Sequence, residues 1–360
     1  MLHALSFGSR ARRALTAAAL LGLGASTASA VTYEQIIAGA ALNPDPATWT
    51  STSGTFTVLD GDTAYAHFAR TNTPAQFVIN RISDFGGTNN VLAITTLASW
   101  TANVGAPSSN RIFGGYGTEL VGDYIQIPDT SSGQVYRVNK HTGEVSVYVS
   151  NDAIKAATGG ASASIATYSG ITNSGETIFY ESASGHILQT NGGSVEILVN
   201  AADLAGKAPN SGLTFDAAGN LYWGASGAGL FRRTPDGTIT ELLSQAQLLS
   251  VVGPGGTTWG GDVFYAPNGL IYLRYGSTGN NASIVSFDPL DPVASLSVVI
   301  GRDDLVNGPG GSAAVGPMQW YNGNLGWTLV GSPSGFYALP EPASLGLLAL
   351  GSLVMLRRRS

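Results

Sequence analysis

One pattern recurs along this chain and leaves few folds open to it. A strand closes on an apolar residue, and a second apolar residue follows five positions later on what reads as a single helical turn, as in SVEILVNAADL and TITELLSQAQL. The paired positions are Ile37/Leu42, Val149/Ile154, Val199/Leu204, Leu243/Leu248 and Ile300/Leu305, with a poorer copy at Thr95/Trp100. The copies stand roughly fifty residues apart, and a repeat of that period is one small unit that buries its apolar face only by stacking on neighbours.

Two further registers run in step with the first. Gly61, Gly122, Gly175, Gly219, Gly269 and Gly323 each close a short strand and open the next, usually followed by Asp, Glu or Asn, as in GDTAYAHF, GDYIQI, GETIFY and GNLYW. A hairpin turn that needs positive φ explains glycine there, and it marks the polar neighbour as a turn residue rather than a catalytic one. A third strand follows in each unit: AQFVINRI, GQVYRVN, GHILQT, GLFRRT, ASIVSF and SGFYAL. Each unit is therefore four strands with a helical turn after the outermost.

Six such units predict an all-β chain folded as a six-bladed β-propeller. The phase of the repeat predicts its closure. The first copy opens on an outermost-type strand, Val31 to Ile37, and the last finishes on a third-type strand, Gly335 to Leu339. The N-terminal strand therefore completes the last blade and covers the sheet edge that would otherwise stay open. Residues 31–339 suffice to bury a large core, so the absence of cysteine costs the fold little. The fourth unit, GLTFDAAGNLYWGASGAGLFRRTPDGTITELL, resembles the NHL, gluconolactonase and streptogramin-lyase group of six-bladed propellers.

In the usual propeller order, the loops after the outermost strands share one face with the loops between second and third strands, around the mouth of the channel. That face should carry residues 38–54, 98–115, 150–165, 200–212, 244–262 and 301–317. Seven residues before the turn glycine the repeat places Gly54, Gly115, Gly212 and Gly316, where crowding near the axis favours glycine, while Tyr168 and Asp262 break the rule. A repeat that breaks its own rule beside a pocket makes Asp262 the first functional candidate, unless the register slips and Gly170 and Gly261 do the same job. His67 with Arg70, Arg274 with Tyr275, and Glu181 read as loop residues of this face. Trp259 and Trp320 stand near inner-strand positions, where an indole either stacks on a sugar ring or fills space between blades.

Catalytic motifs are scarce. The sequence has no paired metal-type histidines, serine elbow, phosphate loop or cysteine, and beyond residue 30 its histidines are His67, His141 and His186. Resemblance to lactonases implies several carboxylates and an Asn converging on a metal, for which Asp262, Glu181 and Asn210 are available. No cofactor is identified; a divalent cation such as calcium would find its ligands at Asp288/Asp291 or Asp303/Asp304. Between Val31 and Pro340 eleven basic groups stand against twenty-two acidic ones, a formal charge of −11, which argues against nucleic acid as a partner.

The ends read as an address. Arg10, Arg12 and Arg13, an apolar run from Ala14 to Ala25 and the small residues Ala28-Ser29-Ala30 describe a cleavable signal peptide over residues 1–30, cut after Ala30 by signal peptidase. At the other end, Pro340-Glu341-Pro342 breaks regular structure and precedes an uncharged run, 343–356, closed by Arg357, Arg358 and Arg359. As a helix that run is roughly 21 Å long against a hydrocarbon core of roughly 30 Å, a short transmembrane segment whose arginines mark the cytoplasmic side. Together the three parts resemble the PEP-CTERM sorting signal of exported Gram-negative proteins. The resemblance implies recognition by an exosortase, cleavage near Pro-Glu-Pro, and passage from an inner-membrane-anchored precursor to the envelope or extracellular matrix.

The sequence thus describes an exported, sorted propeller acting as a binding or structural module, with extracellular polysaccharide as the ligand class in view. The alternative is a lactonase-like hydrolase or lyase at the channel mouth. Three or more carboxylate or amide oxygens around one point would favour the enzyme, and scattered aromatics the binder.

Overall fold

The computed structural model describes residues 33–38, 53–70, 76–105, 118–130, 132–160, 163–252, 260–276, 282–311, 315–329 and 335–340. They form six four-stranded antiparallel sheets. After β1 (Glu34–Ala38), the first blade is β2 (Ser53–Asp60), β3 (Thr63–Arg70), β4 (Gln76–Ser83) and β5 (Asn90–Thr96). The second is β6 (Glu119–Val121), β7 (Tyr124–Asp129), β8 (Gln134–Asn139) and β9 (Val145–Val149). The third is β10 (Ile165–Ile171), β11 (Thr177–Glu181), β12 (His186–Thr190) and β13 (Val195–Val199). The fourth is β14 (Thr214–Phe215), β15 (Leu221–Ala225), β16 (Gly229–Arg233) and β17 (Ile239–Ser244). The fifth is β18 (Gly260–Tyr265), β19 (Ile271–Tyr275), β20 (Ser283–Phe287) and β21 (Ser297–Ile300). In the sixth, β22 (Val315–Tyr321), β23 (Asn324–Leu329) and β24 (Gly335–Ala338) are completed by β1. The innermost strands β2, β6, β10, β14, β18 and β22 touch in a closed ring, the geometry of a six-bladed propeller.

The turn glycines behave as their spacing requires. All six have positive φ, from 58° to 84°. At Gly61, Gly122, Gly175, Gly269 and Gly323 an added Cβ would meet nothing within 4 Å, so backbone conformation and not space selects glycine. These turns, with those between third and fourth strands, define the lower face.

The helical anchors are buried, but the segments that carry them are longer than one turn. Three helices have eight residues each, α1 (Leu97–Val104), α2 (Asn151–Thr158) and α3 (Gln245–Val252), and α4 (Arg302–Asn307) has six. Side-chain caps support three of them: the Thr96, Ser150 and Ser244 hydroxyls accept from Ser99 N, Ala153 N and Gln247 N. In the third blade, residues 201–206 form only successive turns, ended by Gly206 at φ 72°. Trp100, Ile154, Leu204, Leu248 and Leu305 are all fully or nearly fully buried; Leu42 lies outside the described residues. The poorer copy at Thr95 has a physical reason. Its hydroxyl donates to the Gly143 carbonyl at 2.9 Å, tying the outer strand of the first blade to a turn of the second.

β1 lies antiparallel to β24, with Glu34 opposite Ala338 and Ile37 opposite Phe336. Tyr33 pins this joint. Its ring packs 5.2 Å from Trp327 and 5.8 Å from Tyr337, and its hydroxyl donates to the Leu305 carbonyl at 2.9 Å. The seam with the first blade is filled by Phe85, edge-on to Phe336 and Tyr321. Among the described residues no helix is long and apolar enough to cross a membrane. Residues 1–30, expected to be a signal peptide, and the stretch beyond Pro340, expected to cross a membrane, both lie outside the described residues.

Candidate functional site: the central channel

An innermost strand has no partner on its channel side, so its N–H groups there need acceptors from elsewhere. The preceding blade supplies them through side chains. Gln319 Oε1 accepts from Leu59 N at 2.8 Å, Thr214 Oγ1 from Tyr265 N at 3.2 Å, and Asp262 Oδ2 from Met318 N at 2.6 Å. Asp262 is thus a bracket between the fifth and sixth blades.

The glycine rule explains its neighbours. A Cβ on Gly212 would lie 2.4 Å from Asp262 Oδ1, and one on Gly170 would lie 2.0 Å from the Leu213 carbonyl oxygen. Crowding near the axis does select glycine, and at β10 the crowded position is Gly170, so the break at Tyr168 is a slipped register. Gly212→Ala is expected to cost about 2 kcal/mol by forcing Asp262 off Met318 N. Urea unfolding measures it, and a loss under about 0.5 kcal/mol would show that the bracket yields freely.

Between the strands lies a cavity of about 430 Å³ lined by all six, including Leu59, Glu119, Ile171, Phe215, Asp262 and Trp320. Glu119 is half-buried on β6, where it pairs with Gln126, and its side chain borders this space with no hydrogen bond to another described side chain. Burial pushes its carboxyl up to about 8, and the nearby Asp262 charge adds to the shift. Burial likewise pushes Asp262 up to about 7, against the pull of the Met318 and Val263 N–H groups and the Arg274 guanidinium. Near neutral pH the channel therefore holds carboxyls that exchange protons and can both donate and accept.

The other predicted residues are scattered. Trp320 is half-buried in the channel wall, 6.4 Å from the Tyr272 ring, and Arg274 is buried on β19 within electrostatic reach of Asp262. His67, Arg70, Arg274, Tyr275 and Glu181, expected in loops, instead occupy β3, β19 and β11. These second strands run further up than the sequence suggests because each keeps full pairing with its third strand. His67 is fully buried, and burial pushes it down to about 3, leaving it neutral. Glu181 closes a turn. Burial raises its pKa, but bonds from Ser184, Ser164 N and Ala183 N outweigh burial and hold it below the ordinary value. Tyr168 lies on β10, but its side chain, like all of Trp259, is outside the described residues.

The expected cation pairs are structural where seen: Asp288 Oδ1 accepts from Leu290 N, and Asp304 Oδ2 from Gly301 N at the start of α4. Among the described residues no three His, Cys, Asp or Glu side chains converge. Residues 39–52, 71–75, 106–117, 253–259, 277–281 and 330–334, many of them expected from the sequence around the channel mouth, lie outside the described set. Glu119 was passed over because the register seven before the turn singles out Asp262. A carboxylate three residues before Gly122 does not single it out in the sequence: four other blades carry Val58, Thr172, Ala266 and Trp320 there, but the fourth blade carries Asp216.

No known family profile and no curated protein matches this chain. Solved structures do. A Bacteroides thetaiotaomicron protein of unknown function is similar over 80% of this chain and 70% of its own, with 14% identity and a TM-score of 0.52. A luciferin-regenerating enzyme aligns over 80% and 91%, with 10% identity and a TM-score of 0.51. An inactive Staphylococcus aureus virginiamycin B lyase with quinupristin covers 80% and 96%, with 10% identity and a TM-score of 0.48. At such identities the likeness is one of fold alone.

Proposed function

We propose that this chain is an exported binding module, sorted to the envelope or matrix, whose channel takes a neutral polyhydroxyl ligand such as a segment of polysaccharide. One observation supports it: aromatic faces and uncharged hydrogen-bonding groups line the same cavity. Trp320, Phe215, Phe264 and Tyr265 offer apolar surface beside Thr214, Gln319, the Glu119 carboxyl that burial keeps largely protonated near pH 7, and Asp262, which shares its proton with solvent in that range. Sugars need that combination, since their C–H faces stack on rings while their hydroxyls pair with neutral donors and acceptors. Calorimetric titration with neutral oligosaccharides tests it. Trp320→Ala is expected to weaken binding at least tenfold, with a melt shifted by only a few degrees; undiminished affinity ends the reading.

The carboxyls favour one alternative. Two buried acids with raised pKa values in a cleft are a setting for general acid–base chemistry, as in a lactonase-like hydrolase or lyase. Turnover of a lactone or glycan that vanishes in Glu119→Gln would favour the enzyme over the binder.

Delivery rests on the two ends of the sequence. Mature protein from the native host is expected to begin at Val31 and to lack Leu345 to Arg359. Glu341→Ala should leave export intact and block removal of the tail. Mass spectrometry decides both, and wild-type chains still ending in Arg359-Ser360 would make the tail an ordinary anchor.

A further inference from the structure

We propose that in the membrane-held precursor the propeller stands over the bilayer on its lower face, with the upper channel mouth turned away. The inference rests on the reading of 343–356 as a membrane segment. It adds an orientation, which comes from the closing blade. β24 descends to Ala338, opposite the start of β1 at Glu34, and Leu339 N donates to the Leu325 carbonyl, so the chain is held beside the lower turn at Gly323 through residue 339. Only Pro340, Glu341 and Pro342 then separate the blade from the apolar run.

Three or four residues reach at most about 14 Å. The two longest strands of the last blade, β22 with seven residues and β23 with six at about 3.3 Å each, stand roughly 20–23 Å high. A tail leaving the lower face on so short a leash cannot pass up the side of the blade, so the upper mouth cannot face the headgroups. Adhesion does not hold the lower face down, because its turns expose Asp62, Asp84, Asp123 and Asp236, which anionic lipid repels. The leash alone sets the orientation, and a cut within Pro340–Pro342 would release the domain.

The chain has no cysteine, so one can be placed at will. Full chains carrying Asp236→Cys, on a lower turn, or Ala183→Cys, on an upper one, are labelled with a fluorescent donor. They are then reconstituted into phosphatidylethanolamine–phosphatidylglycerol vesicles with a headgroup-labelled acceptor. The lower label is expected to transfer energy several-fold more efficiently than the upper. Equal or reversed transfer from protein that floats with the vesicles overturns the orientation while leaving the membrane reading intact. Protein that does not float overturns both.

Discussion

Replacing Tyr33 with alanine is expected to lower the melting temperature of the propeller by roughly 5–8 °C, although the residue precedes the first strand. Its side chain is 5% exposed, and its ring touches Trp327 and Tyr337 of the last blade. Truncating such an aromatic costs about 3–5 kcal/mol, which a domain of this size shows as a shift of that order. Tyr33→Phe keeps the ring and leaves the Leu305 carbonyl short of its donor, a loss of about 1 kcal/mol. Removing Val31 to Ala38 altogether should exceed either, since it exposes the edge of β24 as well. Melting temperatures that fall from Tyr33→Phe to Tyr33→Ala to the deletion support closure by the N-terminal strand. A truncated protein melting within a couple of degrees of the intact one refutes it.

Glu119→Gln should make the protein more stable at pH 9 and leave it nearly unchanged at pH 5. Glu119 and Asp262 have folded-state values of about 8 and about 7, both above the ordinary carboxyl range. The folded chain therefore holds protons that the unfolded chain has released. That contribution is fully present below about pH 4 and is lost as pH rises through 7 and 8. The glutamine cannot ionise, so its advantage opens above pH 5 and reaches on the order of 4 kcal/mol by pH 9. Melts across that range measure it. A constant difference at all pH values would mean that water in the channel solvates the carboxylate fully.

The sequence made the architecture legible because the repeat encodes it twice. The turn glycines need positive φ, and the helical anchors need burial, so six copies of each mark the blades independently. Closure was legible for the same reason, from the phase at which the first and last copies break off. The site was not. Asp262 stood out, but the role a carboxyl takes at that position depends on the Met318 N–H of the next blade, 56 residues on. His67 and Glu181 look like loop residues in the sequence because spacing does not show how far a strand stays paired. Glu119 went unseen because its chemistry comes from the ring of strands around it, which local sequence does not display.

The joint between β1 and β24 also sets how the domain bears load. Any pull on the chain beyond Pro340 runs along the axis of β24, which is flanked by β23 on one side and β1 on the other, both antiparallel to it. The ladder bonds on the two sides are then loaded together in shear. A terminal strand at an open sheet edge would have one ladder to resist with, where this one has two.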